Sequence, residues 1–274
     1  MNMIESILVG TDGSAAAGSA EGFAVSLAAR MRARLCGLSV VEERAYRTLD
    51  EGLGMPPRPT EGLEAWYKGR ADAACRRLSD RARAAGIEVV TETGTGIADD
   101  RLVERAQQSG LLVLGRDGEH ADFRNNLIGS VVDAAIRKTS KPSVVVPAGA
   151  ELSGPIVLAF DGSPGSRIAA KLVVELANRL SEPVHVFVDS KDKGRAATRF
   201  DEVRRLLGGL SVPVRETAST LGRPDVKIID AAREAGAGLI VMGAFGRSRI
   251  TEFFLGSNSA AVIRNSPVAV LLAR

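Results

Sequence analysis

Along the chain, apolar runs of four to seven residues alternate with helix-length stretches. The runs are rich in β-branched residues and lack strict polar alternation, the pattern of strands covered on both faces. In the second half this pattern predicts strands near 156–160, 183–188, 212–217, 239–243 and 268–272. Helices are predicted between them near 165–180, 195–208, 225–236 and 257–265. Five such steps imply a doubly wound parallel sheet, because right-handed crossovers place helices on both faces.

The pattern occurs twice. Residues 6–14, SILVGTDGS, correspond to residues 155–163, PIVLAFDGS, each an apolar run ending in Asp-Gly-Ser before an alanine-rich helical stretch. Residues 111–118, LLVLGRDG, correspond to 239–246, LIVMGAFG. Both are followed by Gly-Ser, a short helical segment and a last strand, SVVVP at 143–147 and VAVLL at 268–272. A repeat of this kind decides the organisation before any motif does. The prolines and glycines from Pro147 to Pro155 mark the boundary, which predicts domains of 1–150 and 151–274. From Asp12 to Gly115 the chain advances 103 residues, against 82 from Asp161 to Gly243. Most of the excess of 21 falls between Val41 and Ala71, which reads as a surface excursion or as a lid over a ligand.

Composition narrows the partners. The chain has 274 residues, 45% apolar and 25% charged, enough for two domains with their own cores. Its 36 basic and 33 acidic residues leave a net charge of +3. The arginines at 76, 77, 81 and 83 read as a solvated helix face, and two tyrosines and one tryptophan offer few platforms for base stacking, so nucleic acid is not expected. No run of about 18 apolar residues occurs, so neither export nor membrane insertion is predicted, and a reducing cytoplasm is the expected location. Cys36 and Cys75 read as packing residues, His185 as structural and His120 as solvated; none has metal-ligand spacing.

Given the strand order 3-2-1-4-5, the winding reverses between strands 1 and 4, and a ligand belongs in the crevice at their carboxyl ends. Asp12 or Asp161 closes strand 1, and Gly115 or Gly243 closes strand 4. The second copy reads Gly243, Gly246, Gly256 and Ser257 in the spacing G-x2-G-x9-G-S, with Arg247 and Arg249 in the same loop. Glycines there let backbone N–H groups approach an anion, and Ser257 opens a helix whose first amides can hold phosphate oxygens. The two aspartates can equally serve as Asx-turn or helix-capping residues, a role compatible with binding. A P-loop is absent, since residues 13–19, GSAAAGS, lack the lysine. The pairs at 94–96 and 236–238 lack the third glycine of a dinucleotide fingerprint.

These residues together resemble the universal stress protein family, in a tandem ATP-binding form, over nearly the whole chain twice. The resemblance implies two Rossmann-like five-stranded parallel sheets packed as a pseudo-dimer through their last strands. It implies ATP, with Mg2+, as cofactor: Asp161 toward the ribose or adenine, Val188 offering backbone groups to adenine, and Gly243, Gly246, Gly256 and Ser257 around ribose and phosphates. The matching first-copy positions are Asp12, Val41, Gly115, Gly118, Gly129 and Ser130. There the spacing is ten residues instead of nine, and Glu119 and Asp122 would oppose a triphosphate unless a cation, Arg116 or Arg124 offsets them. The second site therefore ranks above the first. The function implied is a nucleotide-dependent stress-response regulator or adaptor with an unidentified protein partner and possible homodimerisation. A slow ATP hydrolase or adenylyl transferase, and a nucleotide-free scaffold, are the alternatives.

Overall fold

The structure is a computed structural model that describes residues 3–43, 61–117, 128–220, 222–244 and 255–274. The first half runs β1 (Ser6–Gly10), α1 (Ala15–Met31), β2 (Arg34–Glu42), α2 (Glu61–Ala84), β3 (Val89–Gly96), α3 (Ala98–Ala106), β4 (Leu111–Gly115), α4 (Ser130–Lys138) and β5 (Ser143–Val146). The second half repeats it as β6 (Ile156–Ala159), α5 (Pro164–Leu180), β7 (Val184–Asp189), α6 (Lys193–Leu206), β8 (Val214–Ser219), α7 (Pro224–Ala235), β9 (Leu239–Gly243), α8 (Ser257–Asn265) and β10 (Ala269–Ala273). The strand expected at 212–217 begins two residues later, because Pro213 has no N–H and only its carbonyl joins the ladder, accepting from Val184.

Within each half the order is 3-2-1-4-5 and every pairing is parallel. The halves do not stop at two separate sheets. Strands β5 and β10 pair antiparallel, Val145 opposite Val270 and Val144 opposite Leu271, so ten strands form one sheet in the order β3-β2-β1-β4-β5-β10-β9-β6-β7-β8. Two apolar layers run through both halves. Ile7, Val9, Val144, Leu158 and Val241 join α1, α2, α5 and α6 on one face. Leu8, Leu112, Val145, Ile240 and Val270 join α3, α4, α7 and α8 on the other.

Polar contacts reinforce the seam from both sides. Arg30 of α1 donates to the carbonyl of Leu180 and pairs with Glu182 at 2.7 Å. Its repeat counterpart Arg179 donates to the Ile4 carbonyl at 3.0 Å, and Glu175 accepts from the backbone N–H groups of Met3 and Ile4. Arg116 donates to the Ser266 carbonyl at 2.9 Å, past the end of α8. Arg274 answers by donating to the Ile136 and Arg137 carbonyls at the end of α4, and burial lowers its guanidinium pKa to about 10. The Leu180, Ser266, Ile136 and Arg137 carbonyls lie at or just past helix ends, and that of Ile4 lies ahead of β1; each is satisfied by the opposite half.

Part of the first-copy excess is helical: α2 has 24 residues where α6 has 14. The glycine-rich remainder, 44–60, falls outside the described residues.

Candidate functional site

Each strand 1 ends in a turn built by its Asp-Gly-Ser. Asp161 Oδ1 accepts from Ser163 N at 2.9 Å, Gly162 takes a φ of +72°, and the Ser163 hydroxyl accepts from Ser166 N to cap α5. Asp12, Gly13 and Ser14 repeat this, with φ +80° at Gly13 and Ser14 capping α1 through Ala17 N. Both aspartates therefore perform the Asx-turn role, which leaves Asp161 also lining the cleft described below. The positive φ explains the glycine at each turn.

The strand-4 glycines have a packing reason. A Cβ on Gly243 would lie 2.9 Å from the backbone of Gly165 and Ser166, and one on Gly115 would lie 3.2 Å from the Ala16 carbonyl. The first turns of α5 and α1 thus pass directly over the ends of β9 and β4. The loop that follows β9 is closed at its base, where Gly256 N–H donates to the Ala244 carbonyl at 3.2 Å; Gly129 does the same to Arg116 at 3.0 Å. No side chain caps α8 at Gly256 or α4 at Gly129, so their first-turn amides are left to other acceptors. Ser257 and Ser130 open these helices on exposed positions. Gly118, Gly246 and Arg247 lie outside the described residues, as do Glu119, His120, Asp122, Arg124 and Arg249.

A cleft of about 820 Å³ opens at the carboxyl ends of β6, β7 and β9, where the winding of the second half reverses. On the α7 and α8 side, Ala159, Phe187, Pro224, Ile228 and Met242 form an apolar slot, with Asn258 and Ser259 at the start of α8. Ser259 is anchored by donating to the Gly243 carbonyl at 3.1 Å. On the α5 and α6 side the lining is polar and cationic.

In strand 2 the backbone of the expected residue, Val188, faces away from β6. Phe187 accepts from Phe160 N and so faces β6, whereas Ser190 donates to Ser219 and faces β8. Backbone groups alternate sides along a parallel strand, so those of Val188 point to β8, and its side chain is fully buried. It is the next residue, Asp189, whose backbone turns toward the β6 side and which lines the cleft. Val41 differs again: Thr11 N donates to Leu38, which makes Leu38 the counterpart of Phe187, and Val41 the counterpart of Ser190 instead of Val188. Pairing the two valines by their apolar runs slipped the register by two residues.

Asp189 carries a further signal. Burial pushes its carboxyl pKa up, partly offset by hydrogen bonds from Ser219 and the Gly222 backbone, and Oδ1 is buried without a partner. Phe187, Asp189 and Met242 are readable as strand-end residues once the strand limits are known. The cations on α6, Arg195 and Arg199, recur at i and i+4, a spacing that places them on one helix face.

The first copy holds its turn differently. Glu21 is fully buried, accepting from the Thr11 hydroxyl at 2.5 Å and from Arg77 Nε at 3.0 Å, while Arg77 Nη1 donates to the Gly13 carbonyl at 2.8 Å. Arg77 is thereby committed to the turn, and its hydrogen bond to Glu21 raises its pKa. In the second copy the position matching Glu21 is Ala170, in the apolar layer.

Comparison with known proteins agrees with this architecture. The profile described as the universal stress protein family matches residues 3–147 and again 153–274. A universal stress protein of Synechocystis is 24% identical over 99% of this chain and all of its own length. One from Thermus aquaticus is 34% identical over 43% of this chain and 97% of its own. Among solved structures, a universal stress protein from Archaeoglobus fulgidus superposes with a TM-score of 0.78 at 19% identity, covering 98% of both chains.

Proposed function

The chain belongs to the universal stress protein family, and from that premise we propose that it binds ATP in the cleft of its second half and signals occupancy to a protein partner. The observation that carries this reading is the cleft itself. It joins an apolar slot, a strand-1 aspartate and the uncapped start of α8 at the point where the winding reverses. The slot formed by Phe187, Ile228 and Met242 suits a purine ring, Asp161 lies where a ribose hydroxyl can donate to it, and the α8 amides suit phosphate oxygens. Among the described residues no three His, Cys, Asp or Glu side chains group as a metal site. Mg2+ would therefore arrive on the phosphates, as it does where one or two carboxylates and a nucleotide share it.

We read the chain as two domains, 1–150 and 151–274, with the second as the binding half and the first as its partner in the sheet. Location in the cytoplasm fits this reading; among the described residues no helix is long and apolar enough to cross a membrane. Binding, with turnover slower than about 1 per second, is the activity expected, because Glu202, the carboxylate that reaches the turn from α6, is already paired with Arg167.

Equilibrium titration with ATP tests the proposal. One nucleotide per chain is expected by native mass spectrometry, and Asp161→Ala should weaken binding at least tenfold. Folded wild-type protein that does not bind ATP overturns it. Gly243→Asp is an unsuitable probe, since any side chain there meets the backbone of α5.

A further inference from the structure

The α5 and α6 wall of the same cleft has a character that a purine slot does not require. Four cationic side chains line it: Arg167 from α5, Lys191 before α6, and Arg195 and Arg199 from α6. The Arg199 guanidinium fills the space that a Cβ on Gly162 would take, so it lies against the Asp161–Ser163 turn. Glu202 reaches the same place and pairs with Arg167 at 2.6 Å. Arg195 contacts Asp192 at 3.4 Å with both side chains more than half exposed, and Lys191 makes no ion pair among the described residues. Across the whole cleft lining these four cations face three carboxylates, Asp161, Asp189 and Glu202.

Among the described residues the first half is built differently at this place. Gly13, the counterpart of Gly162, meets the Ala74 methyl at 3.5 Å where Gly162 meets Arg199. The nearby Arg77 is already bound to Glu21 and to the Gly13 carbonyl. Gly18 stands where the second half has Arg167. Among the described residues this combination of cations is therefore a feature of the second-half cleft.

We infer that this wall is a second anion subsite, which takes a phosphoryl group that the ligand presents away from the start of α8. Planar guanidinium groups converging from two helices match phosphate oxygens in pairs, and exposed pairs such as Arg195 with Asp192 cost little to exchange for a phosphate. A cleft of about 820 Å³ lies toward the upper end of the range for small-ligand sites, which leaves room for a ligand with two anionic ends. The phosphoryl group is either the far end of an extended polyphosphate chain or a separate group on the ribose. The inference rests on the nucleotide reading of the slot, but on different side chains.

Calorimetric titration of wild type and of the double variant Arg195→Ala/Arg199→Ala with AMP, ATP, adenosine 3′,5′-bisphosphate and inorganic tripolyphosphate decides it. Thermal unfolding of the variant near the wild-type midpoint establishes that it is folded. The expected result is that ATP or the bisphosphate binds wild type at least tenfold more tightly than AMP, and that the variant loses this margin while AMP affinity stays unchanged. Loss for ATP assigns the chain end as the source; loss for the bisphosphate assigns the ribose group. If no nucleotide binds but tripolyphosphate binds wild type and not the variant, the subsite stands and the nucleotide reading falls. Unchanged ratios in the variant, or no binding of any of the four, overturns the subsite.

Discussion

At the scale of single residues, the two strand-4 glycines and His185 show how a position acquires its identity. Gly243→Ala forces the backbone of α5 to move and should cost about 1–3 kcal/mol. Gly69→Ala, on an open face of α2, should stabilise by about 0.5–1 kcal/mol. Urea unfolding of the two variants checks the opposite signs. His185 is buried in β7, its Nε2 2.7 Å from the Thr217 hydroxyl and its Nδ1 without a partner. Burial first, then Arg215, lowers its pKa below the ordinary 6.5, with Glu234 opposing. The folded state therefore binds a proton less readily than the unfolded chain, so stability is intact above pH 6.5 and declines as pH falls below it. The stability advantage of wild type over His185→Asn should narrow between pH 7.5 and 5. The sequence made Asp161 and Gly243 legible because each ends a repeated strand. It could not show that Gly243 is fixed by α5, nor that the backbone of Asp189 and not of Val188 faces β6, since the first depends on helix packing and the second on strand pairing.

Helices and strands were legible nearly to their limits, because buried strands and Asp-Gly-Ser turns punctuate the pattern twice. What the pattern could not convey is how differently two copies of one element are fastened. Helix α2 is tied to the first turn by Arg77 and buried Glu21, whereas α6 meets its turn with Arg199 and Glu202. Arg77→Ala would strand a carboxylate in the apolar layer with the Thr11 hydroxyl and the more distant Arg81, 3.9 Å away. A cost of about 3 kcal/mol is expected, the lower end for breaking a buried pair because Arg77 is itself about a third exposed. Arg167→Ala removes the more exposed Arg167–Glu202 pair beside the second turn and should cost less than about 1 kcal/mol. Chemical denaturation of both variants tests this asymmetry, and equal losses would contradict it. The basic run at 76–83 had read as a solvated face; Arg77 departs from that because its partner, Glu21, is 56 residues away in sequence.

For the whole molecule, the continuity of both apolar layers across the β5 and β10 pairing bears on cooperativity. Two independent domains would melt in two steps. A shared sheet, with Arg30, Arg179, Arg116 and Arg274 satisfying carbonyls of the opposite half, should melt in one. Differential scanning calorimetry is expected to give a single transition with equal calorimetric and van't Hoff enthalpies, and two resolved transitions would count against it. The resemblance implied pairing through the last strands, and that is how the halves meet; the helix-end contacts made by single arginines had no signature in the repeat.

The antiparallel pairing of β5 with β10 has one more consequence, and it concerns inheritance. Two identical subunits joined through those strands would receive every substitution twice, so a change that strengthened one turn at the expense of its cleft would do so in both. A single chain that contains both partners is released from that constraint. One half gives its turn over to a buried carboxylate and an arginine, while the other sets Arg167, Lys191, Arg195 and Arg199 around its cleft.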